Sequence, residues 1–186
     1  GLSLAPAPWL ATLPVMGYVV GGALSTGLVA KSQQRWGRKG SFQLGLLVAF
    51  LSAAMGAWAV LSESFILLVT ATVVAGYYSA NGQLYRFAAA ELCKPDYREK
   101  AVSLVMAGGL IGAIIGPNLA IQTKSLFGMP FAGAYVALMV VALLSMVVMR
   151  FIDFPPAATQ KTDDAGGRPL SEIMRQPVFV IAAMAA

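Results

Sequence analysis

The sequence predicts an all-α membrane protein, a bundle of bilayer-crossing helices, and three observations predict it. Of 186 residues 58% are apolar and only 11% are charged, well under the roughly one quarter of charged residues in a soluble domain. The apolar residues gather into runs long enough to cross a bilayer, which takes about 20 residues per helix. Those runs are apolar almost all round, whereas a soluble helix turns one charged face to water about every 3.6 residues.

Five complete spans follow in order, at 8–30, 40–61, 65–92, 101–123 and 131–152. The first repeats small residues every fourth position, at Gly17, Gly21 and Ser25, and the second does so at Gly45, Ala49, Ala53 and Ala57. Small residues let membrane helices approach closely where lipid removes any hydrophobic drive to associate. The third span is the polar one. Its second half reads "GYYSANGQLYRFAAAEL", and at about 100° per residue Tyr78, Ser79, Asn81, Gln83, Tyr85 and Arg86 sweep across one broad side. Polar groups inside a bilayer normally face a bundle interior or a water-filled path, so Asn81, Gln83 and Tyr85 are candidates for lining a substrate path. Arg86 has two readings: an anion-binding group on that path, or a side chain that snorkels to headgroups, since it lies roughly 30 Å along its helix. Glu91, beyond it, is expected to pair with loop cations.

The fourth span carries Gly108, Gly112 and Gly116 ahead of Pro117, a place where a helix can bend. Asn118 and Gln122, one turn apart on it, either line the outer half of the same path or bond to a neighbouring helix. The fifth span is plain, with Arg150 at its edge. After it, 154–176 reads as a polar linker containing "DDAGGRP", with Leu170–Arg175 as a short amphipathic helix. The apolar run 177–186 is too short to cross and reads as the start of a further span. A chain that opens on Gly1 and closes within an apolar run reads as a segment of a longer polypeptide.

Charge gives the orientation. Lys and Arg number four in the connection 31–39, none at 62–64, three at 93–100, one at Lys124, and four around 150–176. The alternation is the positive-inside bias, which puts 31–39, 93–100 and 153–176 in the cytoplasm and Gly1 on the opposite side. The net charge of +5 thus serves the membrane rather than nucleic acid. The sequence lacks histidine, the commonest metal ligand and proton shuttle. It also lacks a cysteine pair, a carboxylate pair and a phosphate-cradling glycine loop beside a nucleophile. No catalytic group, metal or cofactor is expected.

The connection "KSQQRWGRKG" and the spans around it resemble the major facilitator superfamily of transporters. In that family the second and third helices are joined by Gly-x-Leu-Ala-Asp-Arg-x-Gly-Arg-Lys. Arg35, Trp36, Gly37, Arg38 and Lys39 match the second half; Ala30, Ser32 and Gln34 replace the glycine, leucine and aspartate of the first. That aspartate helps to hold one gating state, so Gln34 removes one latch the resemblance would imply. "KPDYREKAVS" resembles the family's connection between helices four and five. "GGLIGAIIGPNLA" resembles its fifth-helix motif, with Gly112, Gly116 and Pro117 matching and Ser103, Ala120 and Ile121 departing. Thr72 stands where the family carries an arginine. The resemblance implies helices two to six of a twelve-helix carrier built from inverted three-helix repeats, with Pro177 opening helix seven.

What the resemblance implies is a secondary-active or facilitative carrier of a small molecule, working by alternating access in a bacterial inner membrane. Its partners would be the lipid bilayer, the remainder of the same polypeptide and a small-molecule substrate. A second reading is a membrane scaffold or assembly factor that kept the fold and lost transport, favoured by Gln34 and by the absence of a carboxylate in the middle of any span. A membrane enzyme is a third, opposed by the missing catalytic sets.

Overall fold

The computed structural model describes residues 4–126 and 128–154 and is helical throughout, with no strand among the described residues. The linker beyond Phe154 and the run 177–186 lie outside the described residues. The main helices are α1 (Leu13–Leu61), α2 (Phe65–Gly82), α3 (Tyr85–Leu92), α4 (Arg98–Thr123) and α5 (Ala132–Arg150).

α1 contains the first two expected spans in one helical run, broken only at Gly37. Where the sequence suggests a loop over 31–39, helix continues on both sides of a single residue. Gly37 has φ 69° and ψ −178°, a conformation that only glycine adopts cheaply. There the chain reverses. Ser32 and Ser41 lie nine residues apart yet bring their hydroxyls to 2.6 Å, where an unbroken helix would separate them by roughly 13 Å. The run 8–61 therefore makes two passes, and 65–92, 95–123 and 132–150 are each long and apolar enough to make one more.

Side-chain contacts give the directions. Gly17 in the first arm of α1 (13–36) faces Thr72, and Gly21 faces Val73 and Gly76, so that arm runs parallel to α2. The second arm (38–61) meets α5 in opposite order: Gly56 lies on Tyr135, Gln43 Nε2 donates to the Met146 carbonyl at 3.0 Å, and Lys39 reaches Asp153. Consecutive passes thus alternate in direction. One tight crossing sets Gly21 on Gly76, where a Cβ on either would overlap the opposing backbone.

The third expected span is divided. Leu84 N–H donates to the Asn81 carbonyl at 2.9 Å, three residues back instead of four, and α3 starts afresh at Tyr85. Asn81 and Gly82 are poor helix formers, and the divide falls there. Ser64 caps the other end of α2, its hydroxyl accepting from Leu67 N–H at 3.4 Å. The buried side chains lie where α1, α2 and α5 meet, among them Phe42, Leu46, Leu68 and Ala142. Outward-facing positions such as Leu24, Ile66, Leu104 and Leu144 are exposed, as a lipid-facing surface requires. Trp9 and Trp58 lie at one end of the bundle and Trp36 at the other, all exposed, the placement of membrane-interface anchors.

Candidate functional site

The polar residues that one helical projection places on a single side of the third span go to four different surroundings. Asn81 is fully buried and lines none of the clefts described below. Its Oδ1 accepts from Ser41 Oγ at 3.1 Å, while its Nδ2 donates to the Tyr77 carbonyl at 3.4 Å. Tyr77 Oη donates to Ser32 Oγ at 3.0 Å, and Ser32 meets Ser41 at 2.6 Å. Ser32 Oγ also lies 2.8 Å from the Val29 carbonyl, to which it donates, so Tyr77, Ser32, Ser41 and Asn81 form one connected hydrogen-bonded cluster. It ties both arms of α1 to α2 beside the Gly37 reversal. The sequence places Asn81 on a substrate path; the structure gives it this interhelical clamp.

Tyr78 and Tyr85 face a cleft between α1, α2 and α5. Its central part, about 320 Å³, is lined by Tyr18, Ser52, Thr72, Tyr78, Tyr135 and Ser145 among small apolar residues. It continues inward to Tyr85 and Met149, where the Tyr85 hydroxyl is buried without a hydrogen-bond partner. The Tyr85 ring stands edge-on to Phe42 at 4.7 Å, and Phe42 in turn to Phe154 at 5.6 Å. Outward, the same side opens to a vestibule rimmed by Glu63, Pro130 and Phe131.

Ser79 and Gln83 face a separate groove of about 620 Å³ between the first arm of α1 and α2. Tyr18, Gly22, Thr26 and Gln33 form its other wall. Sequence reasoning passed over Tyr18, Thr26 and Gln33. The signal for them was the spacing 18, 26, 33, one helical face that carries polar groups through an otherwise apolar span and on into the connection after it. Neither this groove nor the central cleft is lined by Asp, Glu, Lys or Arg.

Arg86 reaches neither space. It is exposed, with its guanidinium 4.9 Å from the ring centre of its neighbour Phe87. Asn118 is also exposed and donates back to the Ile114 carbonyl of its own helix at 2.7 Å, and Gln122 is exposed near the end of α4. Around Gly112 and Gly116 nothing among the described residues approaches within 4 Å, and α4 passes Pro117 as one helix.

The motif of the first connection works through its second half. Arg38 grips both carboxylate oxygens of Glu91, with Nε at 2.9 Å from Oε2 and Nη2 on Oε1, and its Nη1 donates to Gln33 Oε1 at 3.0 Å. Lys39 Nζ pairs with Asp153 at 3.1 Å. Arg35 stacks over Trp36 at 5.5 Å, and Gln34 is exposed. The motif therefore binds the second arm of α1 to the ends of α3 and α5 without the family's aspartate.

Alternating apolar passes, basic connections on one side, and uncharged polar clefts between the passes define an integral-membrane helical bundle of the solute-carrier class. The chain belongs to the Major Facilitator Superfamily, whose defining sequence pattern matches residues 1–186. It is 36% identical over 191 residues to the riboflavin transporter RfnT of Brucella anthropi, a match that covers 100% of this chain and 47% of that protein. Two Bacillus subtilis proteins, the uncharacterized MFS-type transporters YddS and YdeG, are 27% and 29% identical over 83% and 75% of this chain. The chain spans about half the length, or less, of these relatives. The family is one of transporters rather than enzymes.

Proposed function

We propose that this chain belongs to a carrier that moves an uncharged, polar small molecule across a bacterial inner membrane by alternating access. The observation that carries the reading is the lining of the central cleft and the groove: hydroxyls, amides and tyrosine rings with no formal charge. Such walls favour a flat, hydrogen-bonding solute over an ion, because a desolvated ion needs a partner of opposite charge. The likeness to a protein named a riboflavin transporter supports the same class, and riboflavin, planar and uncharged at neutral pH, is the first molecule to try. A transport-inactive scaffold is not favoured by relatives named as transporters.

The Gly21–Gly76 crossing and the Arg38 and Lys39 ion pairs make α1, α2, α3 and α5 suited to move as one body. Motion would then occur against helices elsewhere in the polypeptide. The test is uptake of tritiated riboflavin by cells expressing the complete polypeptide. Wild type is expected to exceed vector-only cells, and Tyr78→Ala and Gln83→Ala to lose most of that excess while still reaching the membrane. Equal uptake by wild type and vector-only cells would reject the riboflavin reading. Full uptake by both variants would remove these clefts from the path.

A further inference from the structure

Three spaces follow one another along a single face of α5. Tyr135 and Leu138 line both the vestibule, of about 650 Å³, and the central cleft, of about 320 Å³, and Ser145 lines both that cleft and its inward continuation toward Tyr85. Positions 135, 138, 142 and 145 recur at helical spacing, so Tyr135 stands where the vestibule meets the cleft. The backbone that carries it is fixed. Gly133 packs on the Thr123 carbonyl so closely that a Cβ would overlap it, and Phe131 N–H donates to the Lys124 carbonyl at 2.8 Å. The side chain is held differently. Its ring lies against Gly56, a buried position where an added Cβ would overlap ring carbons rather than backbone. A ring can yield by rotating about its χ angles, whereas packed backbone cannot. Any side chain at 56 would therefore turn the ring off the wall and into the cleft.

We propose that Tyr135 is the size-selecting residue between the vestibule and the central cleft, and that Gly56 is its positioning residue. The missing side chain at 56 gives the ring a recess, and the recess keeps the way into the cleft open to a flat solute. The inference rests on the transport reading above and adds to it the narrow point that the solute must pass. Gly56 touches no solute; it acts through where it lets the ring lie. Gly21 and Gly76 join two backbones, whereas Gly56 accommodates a side chain.

The experiment measures passage directly, in cells expressing the complete polypeptide with Ser145→Cys as the target and every native cysteine, Cys93 included, replaced by serine. Two impermeant reagents are applied from the side on which a Ser62→Cys control reacts: a small quaternary-ammonium methanethiosulfonate and a bulky sulfonated-dye maleimide. The small reagent is expected to label Ser145→Cys, and the bulky one to label it slowly. Tyr135→Ala, or Tyr135→Leu should the alanine variant not accumulate, is expected to speed the bulky reagent about tenfold, equivalent to about 1.4 kcal/mol off a barrier, and the small one by less than about threefold. Gly56→Ala, or Gly56→Ser in its place, is expected to slow the small reagent about tenfold. With Tyr135→Ala present the same change at 56 should alter the rate less than about twofold, because no ring is left to displace. No labelling of Ser145→Cys by the small reagent, or rates indifferent to Tyr135, would overturn the proposal. Equal slowing by the change at 56 in both backgrounds would mean an effect through the backbone and overturn its positioning role. Tritiated riboflavin uptake keeps the two readings apart. Labelling as expected with no uptake by wild type would reject riboflavin and leave Tyr135 as the narrow point, whereas normal uptake with indifferent labelling would reject this inference alone.

Discussion

Asn81 illustrates how a single polar side chain in an apolar helix has two uses that sequence cannot separate. Facing a path, it would meet substrate; facing a neighbour, it completes a hydrogen bond that lipid would never supply. The distances favour the second, because both its oxygen and its nitrogen are engaged within the clamp. Removing one partner leaves the other buried and unpaired, which costs about 1–3 kcal/mol. Asn81→Ala is therefore expected to lower the thermal midpoint of the detergent-purified protein, with riboflavin KM close to wild type in the fraction that folds. A normal midpoint together with a raised KM would return Asn81 to the substrate path. Ser41→Ala combined with Asn81→Leu, which removes both ends of the bond, should be milder than Asn81→Ala, since no orphaned group remains.

Between elements, the small-residue stripes divide by what they meet. Gly21 and Gly76 hold the first arm of α1 against α2 so closely that no Cβ fits on either. Gly76→Leu is expected to reduce the yield of monodisperse protein in size-exclusion chromatography severely, because its side chain would have to displace backbone rather than a side-chain tip. Gly112→Ala should be tolerated in the same assay, since nothing among the described residues lies within 4 Å of it. Equal yields for Gly76→Leu and wild type would mean that the two helices do not cross there. Spacing alone cannot tell these stripes apart, for both read as glycine every fourth residue. The break between α2 and α3 was similarly hidden, since hydropathy continues through 65–92 while the backbone tightens at Leu84.

For the whole molecule, the charge pattern and the contacts agree. The connections expected in the cytoplasm carry both interhelical ion pairs found among the described residues, Arg38–Glu91 and Lys39–Asp153. Exposed pairs of this kind add little stability, about 0–1 kcal/mol each, so orientation is the larger consequence of the charge. Cys93, the single cysteine, provides a test in intact cells. It should react with a membrane-permeant maleimide and resist an impermeant one, whereas a cysteine placed at Ser62 in a Cys93→Ser background should react with both. The reverse pattern would invert the topology.

Apolar run lengths and the motif around Gly37 determined by themselves that the chain crosses a membrane repeatedly, and the cation alternation predicts in which direction. Those properties are set by transfer free energy and by headgroup charge, which act on each segment almost independently of its neighbours. The tertiary structure alone decided which polar groups bond within the protein and which line clefts. Tyr85 and Gln83 line clefts, Asn81 is consumed by the clamp, and Arg86 is exposed. The physical reason is that hydrogen-bond satisfaction depends on partners remote in sequence. Arg38 reaches Glu91 across 53 residues, and Ser41 reaches Asn81 across 40. Helical periodicity gives the side on which a residue lies but cannot say what stands opposite it.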